Sequence, residues 1–251
     1  DCYLPALYKI LPNCRIIQFP TTYIKTGSRC QNFNRMGGAV AIITHKWHGY
    51  VTKILPDPTG SGLINAVDIT VGPYKLRLIN VYMVPTSHSG GPATIHSRLT
   101  SYTQGSRSPD WAKRLNPFQY QLLYLQILLN SAHQDHRVAQ IGGDFNRPFA
   151  PQEAITNSNT PLNLWRKSHS LHAPLLNTLH TRAGYYTWNN NSLSQDRTSI
   201  DHIVHTPLPS NICLHQVGTA HDDITLSHSD HLPVWLAINL TDPILFPRPP
   251  D

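Results

Sequence analysis

A short apolar run that ends in two glycines and two polar residues constrains this chain most strongly. Residues 138–141 predict a short buried strand, and Gly142 and Gly143 allow the backbone to turn sharply and to approach another group closely. Asp144 and Asn146 follow at i and i+2, so on an extended backbone their side chains point to the same side. The alternative interpretation is an Asx-rich turn after a strand, and this segment alone does not decide between the two.

Other short apolar runs, separated by turn residues, predict a fold rich in β-strands. In the first third of the chain they cover residues 14–19, 39–44, 50–55, 63–70 and 74–83. From residue 39 onwards their short spacing indicates an antiparallel meander. In the last third the predicted strands cover residues 185–188, 199–205 and 212–217, with a closing strand within 228–240.

Helical periodicity appears between these strands. Residues 1–12 predict a helix that ends at Pro12, Pro117 begins a helix that runs to about residue 132, and a further helix covers about 162–169. Residues 86–116 show no clear period and predict a long loop that is functional or disordered. The mixture of strands and helices predicts an α/β protein.

The chain has a net positive charge and contains almost no glutamate. Lys and Arg total 20 against 14 for Asp and Glu, and the formal net charge is +6. This surplus is compatible with a polyanionic partner, and equally with a surface charge that only keeps the protein in solution. Glu153 is the only glutamate in the chain.

Cysteine spacing and hydropathy exclude several classes of protein. The four cysteines contain no CxxC pair, so neither a zinc ribbon nor a disulfide framework is predicted, and a reducing compartment is expected. Apolar runs are too short to cross a membrane. We expect one domain over residues 1–240, followed by a proline-rich tail or linker over residues 241–251.

Three further segments place acidic, aromatic or histidine residues at strand ends. Tyr82 lies in NVYMVP, Asp201 in SIDHIV, and Asp230 and His231 in HSDHLPV. Each has an ordinary structural interpretation by itself. Together with Asp144 they suit hydrolysis of a phosphodiester, which needs the phosphate charge screened, a water placed in line and the leaving oxygen stabilised.

Each of these side chains answers one of those chemical needs. Asp144 is suited to orient and deprotonate the attacking water, and Asn146 to donate a hydrogen bond to a phosphate oxygen. His231 is suited to stabilise the equatorial oxygens, with Asp201 behind it to fix its ring. Mg²⁺ held by carboxylates would screen the phosphate charge.

The order of GGDFN, SIDH and SDHLPV after an NVYxxP strand resembles the endonuclease/exonuclease/phosphatase superfamily, from about Gly37 to Leu240. The resemblance implies a four-layer α/β sandwich of two packed mixed β-sheets flanked by helices, and a Mg²⁺ or Mn²⁺ cofactor. It also implies roles by position. Tyr82 matches the active-site tyrosine, Asp144 the water-activating aspartate, Asn146 the phosphate-orienting asparagine, Asp201 the partner of the catalytic histidine His231, and Asp230 a metal-site aspartate.

One departure from the family pattern is serious. The family carries its principal metal ligand, a glutamate, on a strand that precedes the GGxAI-type strand, and no glutamate precedes Gly37 here. Either the chain is the C-terminal part of a longer protein or it has lost its metal site, and truncation is favoured because residues 1–19 resemble the helix and strand that normally follow this glutamate. We therefore expect the chain to lack the family's first strands, to bind Mg²⁺ poorly and to be nearly inactive as this fragment. Upstream and downstream domains of a larger polyprotein are expected.

The function that the sequence favours is a DNA endonuclease of retrotransposon type, which leaves a 3′ hydroxyl and works as an intracellular, nuclear monomer without a membrane partner. Two alternatives stay open. One is a phosphatase of the same fold that acts on a phosphoinositide or another small phosphodiester. The other is a remnant that keeps the fold as a binding module without catalysis. HxxH pairs occur, but without a third ligand they do not predict a zinc site.

Overall fold

The computed structural model describes residues 9, 11–19, 39–59, 61–85, 94–105, 110–150, 159–176, 187–189, 197–219 and 231–241. The strands are β1 (Cys14–Phe19), β2 (Ala39–Thr44), β3 (Val51–Leu55), β4 (Ile64–Val71), β5 (Tyr74–Tyr82), β6 (Val138–Asp144), β7 (Trp188–Asn189), β8 (Arg197–Thr198), β9 (Asp201–His205), β10 (Ile212–Thr219) and β11 (Val234–Leu240). The helices are α1 (His45–His48), α2 (Ile95–Gln104), α3 (Pro117–Gln134) and α4 (Pro161–Ser168), with one 3₁₀ turn at Ala112–Arg114.

A five-stranded mixed sheet forms the centre, in the order β3-β4-β5-β6-β9. Its neighbours are antiparallel except β5 and β6, which run parallel. A parallel pair requires a crossover connection, and α3 lies within that connection. Asn116 caps α3 in a capping box with Gln119, which fixes where the helix begins.

Alternating side chains of the central strands divide the core between two faces. On one face Ile64 and Ala66 join Leu125 of α3 in a cluster that also contains residues of α4. On the other face Val67 and Ile69 contact a second layer of strands. That layer consists of two antiparallel ladders, β1–β2 and β10–β11, while β7 and β8 form a short ladder of their own.

A buried ion pair ties the central sheet to α3. Asp68 of β4 and Arg77 of β5 are opposite each other in the ladder, and both are almost fully buried. Arg77 donates from Nε and Nη2 to the two carboxylate oxygens of Asp68 at 2.7 and 2.8 Å, and from Nη1 to the Leu128 carbonyl at 2.8 Å. Arg137 adds a further contact to Asp68 at 3.3 Å. Each charge therefore has a partner that offsets its desolvation.

Gly143 is required where β5 and β6 meet. Its φ is +144°, and a Cβ added there would lie 2.0 Å from the carbonyl oxygen of Val81. The predicted close approach at the glycine pair is confirmed. The predicted sharp turn is wrong, because Gly142 and Gly143 both belong to β6 and the strand continues to Asp144.

The predicted fold class is confirmed, since packed sheets are flanked by helices. Two local predictions are wrong. The strand at 39–44 is not part of the meander but pairs with β1, and the antiparallel meander contains only β3, β4 and β5. Residues 86–116 are not a continuous loop, because α2 lies within them. The Thr94 hydroxyl caps the start of this helix by accepting from the Ser97 amide.

The helix predicted over 1–12 and the tail 241–251 fall almost wholly outside the described residues. None of the described helices is long and apolar enough to cross a bilayer.

Candidate functional site

Three neighbouring strands bring the candidate site together at one edge of the central sheet. Tyr82 ends β5, Asp144 ends β6 and Asp201 begins β9. In the ladders Tyr82 is the register partner of Asp144, and Asp144 is the register partner of Asp201. The antiparallel direction of β9 is what places its first residue beside the last residue of β6.

His231 completes a compact group with the two aspartates. Ligand atoms of Asp144, Asp201 and His231 all lie within 4.8 Å of one another. Nδ1 of His231 lies 2.9 Å from Oδ2 and 3.2 Å from Oδ1 of Asp201. The Asp201 side chain is 12% exposed and that of His231 is 34% exposed. A carboxylate on one ring nitrogen fixes the orientation of the imidazole and leaves its opposite edge directed away from that carboxylate.

Asn146 reaches the site by a turn and not by the extended geometry that the sequence predicted. Its φ is +51°, in the left-handed region that asparagine tolerates, and its amide donates to Oδ1 of Asp144 at 2.7 Å. The segment therefore forms an Asx turn and also places Asn146 in the site, although the sequence presented these two interpretations as alternatives. The Asn146 side chain donates from Nδ2 to the Met83 carbonyl at 2.7 Å, so one of its two amide hydrogens is used within the protein.

Gln121 of α3 holds the segment that follows Tyr82. The side-chain Nε2 of Gln121 donates to the Tyr82 carbonyl at 2.9 Å, and its Oε1 accepts from the Val84 amide at 2.8 Å. One buried side-chain amide thus takes the place that a neighbouring strand would occupy. Tyr82 also donates its amide to the Leu63 carbonyl, and Met83 donates to the Asp144 carbonyl, each at 2.8 Å.

Thr187 links the strand that carries Asp201 to the segment that carries His231. It is fully buried, and its Oγ1 accepts from the amides of Ile200 and Asp201, both at 2.9 Å. Its carbonyl accepts from the Leu232 amide at 2.7 Å. Thr187 therefore fixes the relative position of the Asp201–His231 pair.

Of the six residues that the sequence singled out, five lie in the described part of the chain. Tyr82, Asp144 and Asp201 are adjacent in register, His231 contacts Asp201, and Asn146 contacts Asp144. Asp230, the predicted metal-site aspartate, lies outside the described residues. Tyr82 is 37% exposed, so its side chain is accessible from solvent. The roles assigned to all six stay predictions.

Sequence reasoning missed Gln121 and the hydrogen-bonding role of Thr187. A polar residue within the apolar stripe of a predicted helix was the available signal for Gln121, since Leu122 and Leu125 flank it on the same helix. Thr187 carried no comparable signal, because its contacts are made to backbone groups that only the fold brings near it.

The donor set matches part of what a hard divalent cation requires. Mg²⁺ takes one or two protein carboxylates together with waters and substrate oxygens, and Asp144 and Asp201 supply two carboxylates within the 4.8 Å group. Asp201 contacts His231 through both oxygens, so Asp144 is the better placed of the two to hold an ion. When bound, such an ion would screen the charge of a phosphate.

A buried histidine lies directly behind Asp201 on β9. His202 is 1% exposed and packs against Phe145 and Phe149, with ring centroids 5.8 and 4.6 Å away. Burial lowers its pKa to about 3, so the ring is neutral at physiological pH. His202 therefore belongs to the core and takes no part in the charged site.

Comparison with known proteins shows the fold. No protein-family model and no curated protein matches the chain. Among solved structures, a variant of the 3′ phosphatase NExo from Neisseria bound to a product DNA hairpin is similar over 95% of this chain and 84% of its own, at 19% identity and a TM-score of 0.54. TDP2 from D. rerio, complexed with a single-strand DNA product, is similar over 95% of this chain and 82% of its own, at 12% identity and a TM-score of 0.52.

A mannosyl-6-phosphatase from Bacteroides thetaiotaomicron is similar over 94% of this chain and 80% of its own, at 13% identity and a TM-score of 0.53. An endonuclease/exonuclease/phosphatase family protein from the same bacterium gives a TM-score of 0.53. The chain thus has the fold of these proteins.

Proposed function

We propose that this chain is a metal-dependent phosphoester hydrolase whose substrate is DNA. The observation that carries the proposal is the group formed by Asp144, Asp201 and His231. The His231 ring is hydrogen-bonded to Asp201, and a carboxylate oxygen of Asp144 lies within 4.8 Å of both. Carboxylates and an imidazole held this way at a strand edge suit in-line attack of water on a phosphorus atom.

Each residue has a defined part in this reaction. Asp144 accepts the proton of the attacking water, and His231, oriented by Asp201, donates a hydrogen bond to an oxygen of the phosphoryl group. The second amide hydrogen of Asn146 is directed to another phosphoryl oxygen. Asp230, as the sequence predicts, and an oxygen of Asp144 would hold Mg²⁺ or Mn²⁺, which would screen the charge of the phosphate. Gln121 and Thr187 act only through the residues that they position.

DNA is the favoured substrate for two reasons. Two of the structurally similar proteins hold DNA products, and the formal net charge of +6 favours a polyanion. Within DNA hydrolysis, the combination of GGDFN, SIDH and SDHLPV favours an endonuclease of retrotransposon type, which nicks a strand and leaves a 3′ hydroxyl.

A second candidate is hydrolysis of a phosphomonoester. One similar protein is named a 3′ phosphatase and another a mannosyl-6-phosphatase, so the fold also accommodates terminal phosphates. A monoester leaves one phosphoryl oxygen more to be neutralised. This would place greater demand on the metal and on His231.

A two-substrate assay with Mg²⁺ tests both candidates. Supercoiled plasmid reports nicking, and a 3′-phosphorylated oligonucleotide reports release of inorganic phosphate. Because no glutamate precedes Gly37, we expect weak activity, with nicking as its main product. We expect this activity to fall to background in Asp144→Asn and in His231→Gln. His133→Gln, an exposed histidine on α3, is the matched control and keeps wild-type activity.

The result that contradicts the proposal is equally specific. Equal nicking by wild type and His231→Gln would refute the role assigned to His231 and, with it, the proposed site. Phosphate release without nicking would replace the endonuclease by the monoester hydrolase.

A further inference from the structure

We infer that Arg147 binds a second phosphate of the nucleic-acid substrate, next to the one that is attacked. The inference rests on the proposed function and extends it from one phosphate to the polymer backbone. Arg147 directly follows Asn146, whose amide contacts Asp144.

The guanidinium of Arg147 is held in place before any substrate binds. It lies over the ring of Phe118 on α3, 3.7 Å from the ring centroid, and its Nη1 donates to the Val84 carbonyl at 2.8 Å. Stacking and a hydrogen bond remove most of the rotamer freedom of this long side chain. A ligand that binds it therefore loses less entropy than one that binds a mobile surface lysine.

Among the described residues, no carboxylate pairs with Arg147. The guanidinium contacts two neutral groups, the Phe118 ring and the Val84 carbonyl, and across the residues that the structure describes it forms no ion pair. The buried Arg77 and the exposed Lys113 each have an aspartate partner. Partial burial lowers the pKa of Arg147, yet a guanidinium stays charged at neutral pH. A fixed cation that has no counter-ion in the described part of the chain, beside the candidate phosphoester site, is arranged for an anionic ligand.

The position of Arg147 assigns it to a neighbouring phosphate. In the sheet Asp144 stands between β9, which carries Asp201, and β5, which ends in Tyr82. His231 lies on the β9 side of Asp144, whereas Arg147 is anchored to Val84, beyond the end of β5. A phosphate attacked beside Asp144 and His231 therefore has Arg147 on its other flank. Along a DNA strand that flank is occupied by the adjacent phosphate.

The test measures binding without catalysis. Labelled duplex DNA is titrated by fluorescence anisotropy in EDTA, over a series of salt concentrations, with wild type and Arg147→Gln. We expect the Kd to rise about tenfold and the slope of log affinity against log salt to fall by about 0.9, the loss of one phosphate contact. Arg15→Gln, which removes an exposed arginine from β1, changes net charge equally and is expected to retain the wild-type slope.

A second variant guards against a folding defect. Arg147→Lys keeps the charge without the planar group that stacks on Phe118, so we expect the wild-type slope with a Kd raised severalfold. Thermal unfolding of each variant verifies the fold. An unchanged slope in Arg147→Gln would overturn the inference, even if the enzyme nicks DNA normally. DNA binding that depends on Arg147, in a protein that hydrolyses no phosphoester, would support the inference and refute the proposed function.

Discussion

Replacing Gln121 by leucine tests how the Tyr82 strand end is held. The variant removes both hydrogen bonds that the side-chain amide makes to the backbone at Tyr82 and Val84. Val84 is 1% exposed, so its amide would be left buried without a partner, at a cost of about 1–3 kcal/mol. Tyr82 is 37% exposed and the hydrogen bond to its carbonyl is only partly buried, so this second loss is closer to about 1 kcal/mol. The expected destabilisation is about 2–4 kcal/mol.

Urea unfolding followed by far-UV circular dichroism measures this difference. The matched control is Gln126→Leu, the same substitution at an exposed position on the same helix, for which we expect a change within about 0.5 kcal/mol. The two variants have nearly the same helix propensity and differ in the bonds lost. Equal stability of Gln121→Leu and Gln126→Leu would refute the idea that the side-chain amide of Gln121 anchors the site.

Three further predictions concern the core. Gly143→Ala should cost more than about 3 kcal/mol, because its Cβ would lie 2.0 Å from a backbone oxygen. His202→Phe should reduce the slope of unfolding free energy against pH, between pH 4 and 6, by about 1.4 kcal/mol per pH unit. The pKa of His202 is lowered to about 3 in the folded protein. As the pH falls below about 6.5, only the unfolded chain therefore binds a proton at this histidine, and the folded protein loses stability. Asp68→Asn should cost about 3–5 kcal/mol, since it leaves the fully buried Arg77 without its main counter-charge.

Each of these has a control on the same chain. Gly72→Ala, at φ +54° with open space around its Cβ, should cost only about 1–2 kcal/mol, and a larger loss than at Gly143 would contradict the steric argument. His215→Gln replaces an exposed histidine and should leave the pH slope unchanged. Asp110→Asn breaks an exposed ion pair and should have no measurable effect, in contrast to Asp68→Asn. Calorimetric or urea unfolding over a pH series supplies all three measurements.

Much of the candidate site could be anticipated because its residues sit where strands begin or end. Strand ends are marked in the sequence by the change from apolar runs to glycine and polar residues, so Tyr82, Asp144 and Asp201 could be placed at an edge. That these edges coincide was not contained in any local pattern. It followed only from the resemblance, since it depends on which strands are neighbours in the sheet.

What escaped prediction depended on contacts between distant segments. The left-handed turn at Asn146 follows from its bonds to Asp144 and Met83, which replace the extended backbone that spacing suggested. Helix α2 was missed because its sequence, rich in Ser and Thr, has weak apolar periodicity, and its packing against the 3₁₀ turn and α3 compensates.

The three successive amides from Tyr82 to Val84 all donate within the protein, to Leu63, Asp144 and Gln121. Their acceptors belong to different elements. We therefore expect that these elements must move apart together before any of the three hydrogens is released to solvent. In deuterated water we therefore expect them to exchange as a single block, at the rate set by opening of the whole central sheet. The edge of the sheet that carries the candidate chemistry would then be among the last parts of the chain to open.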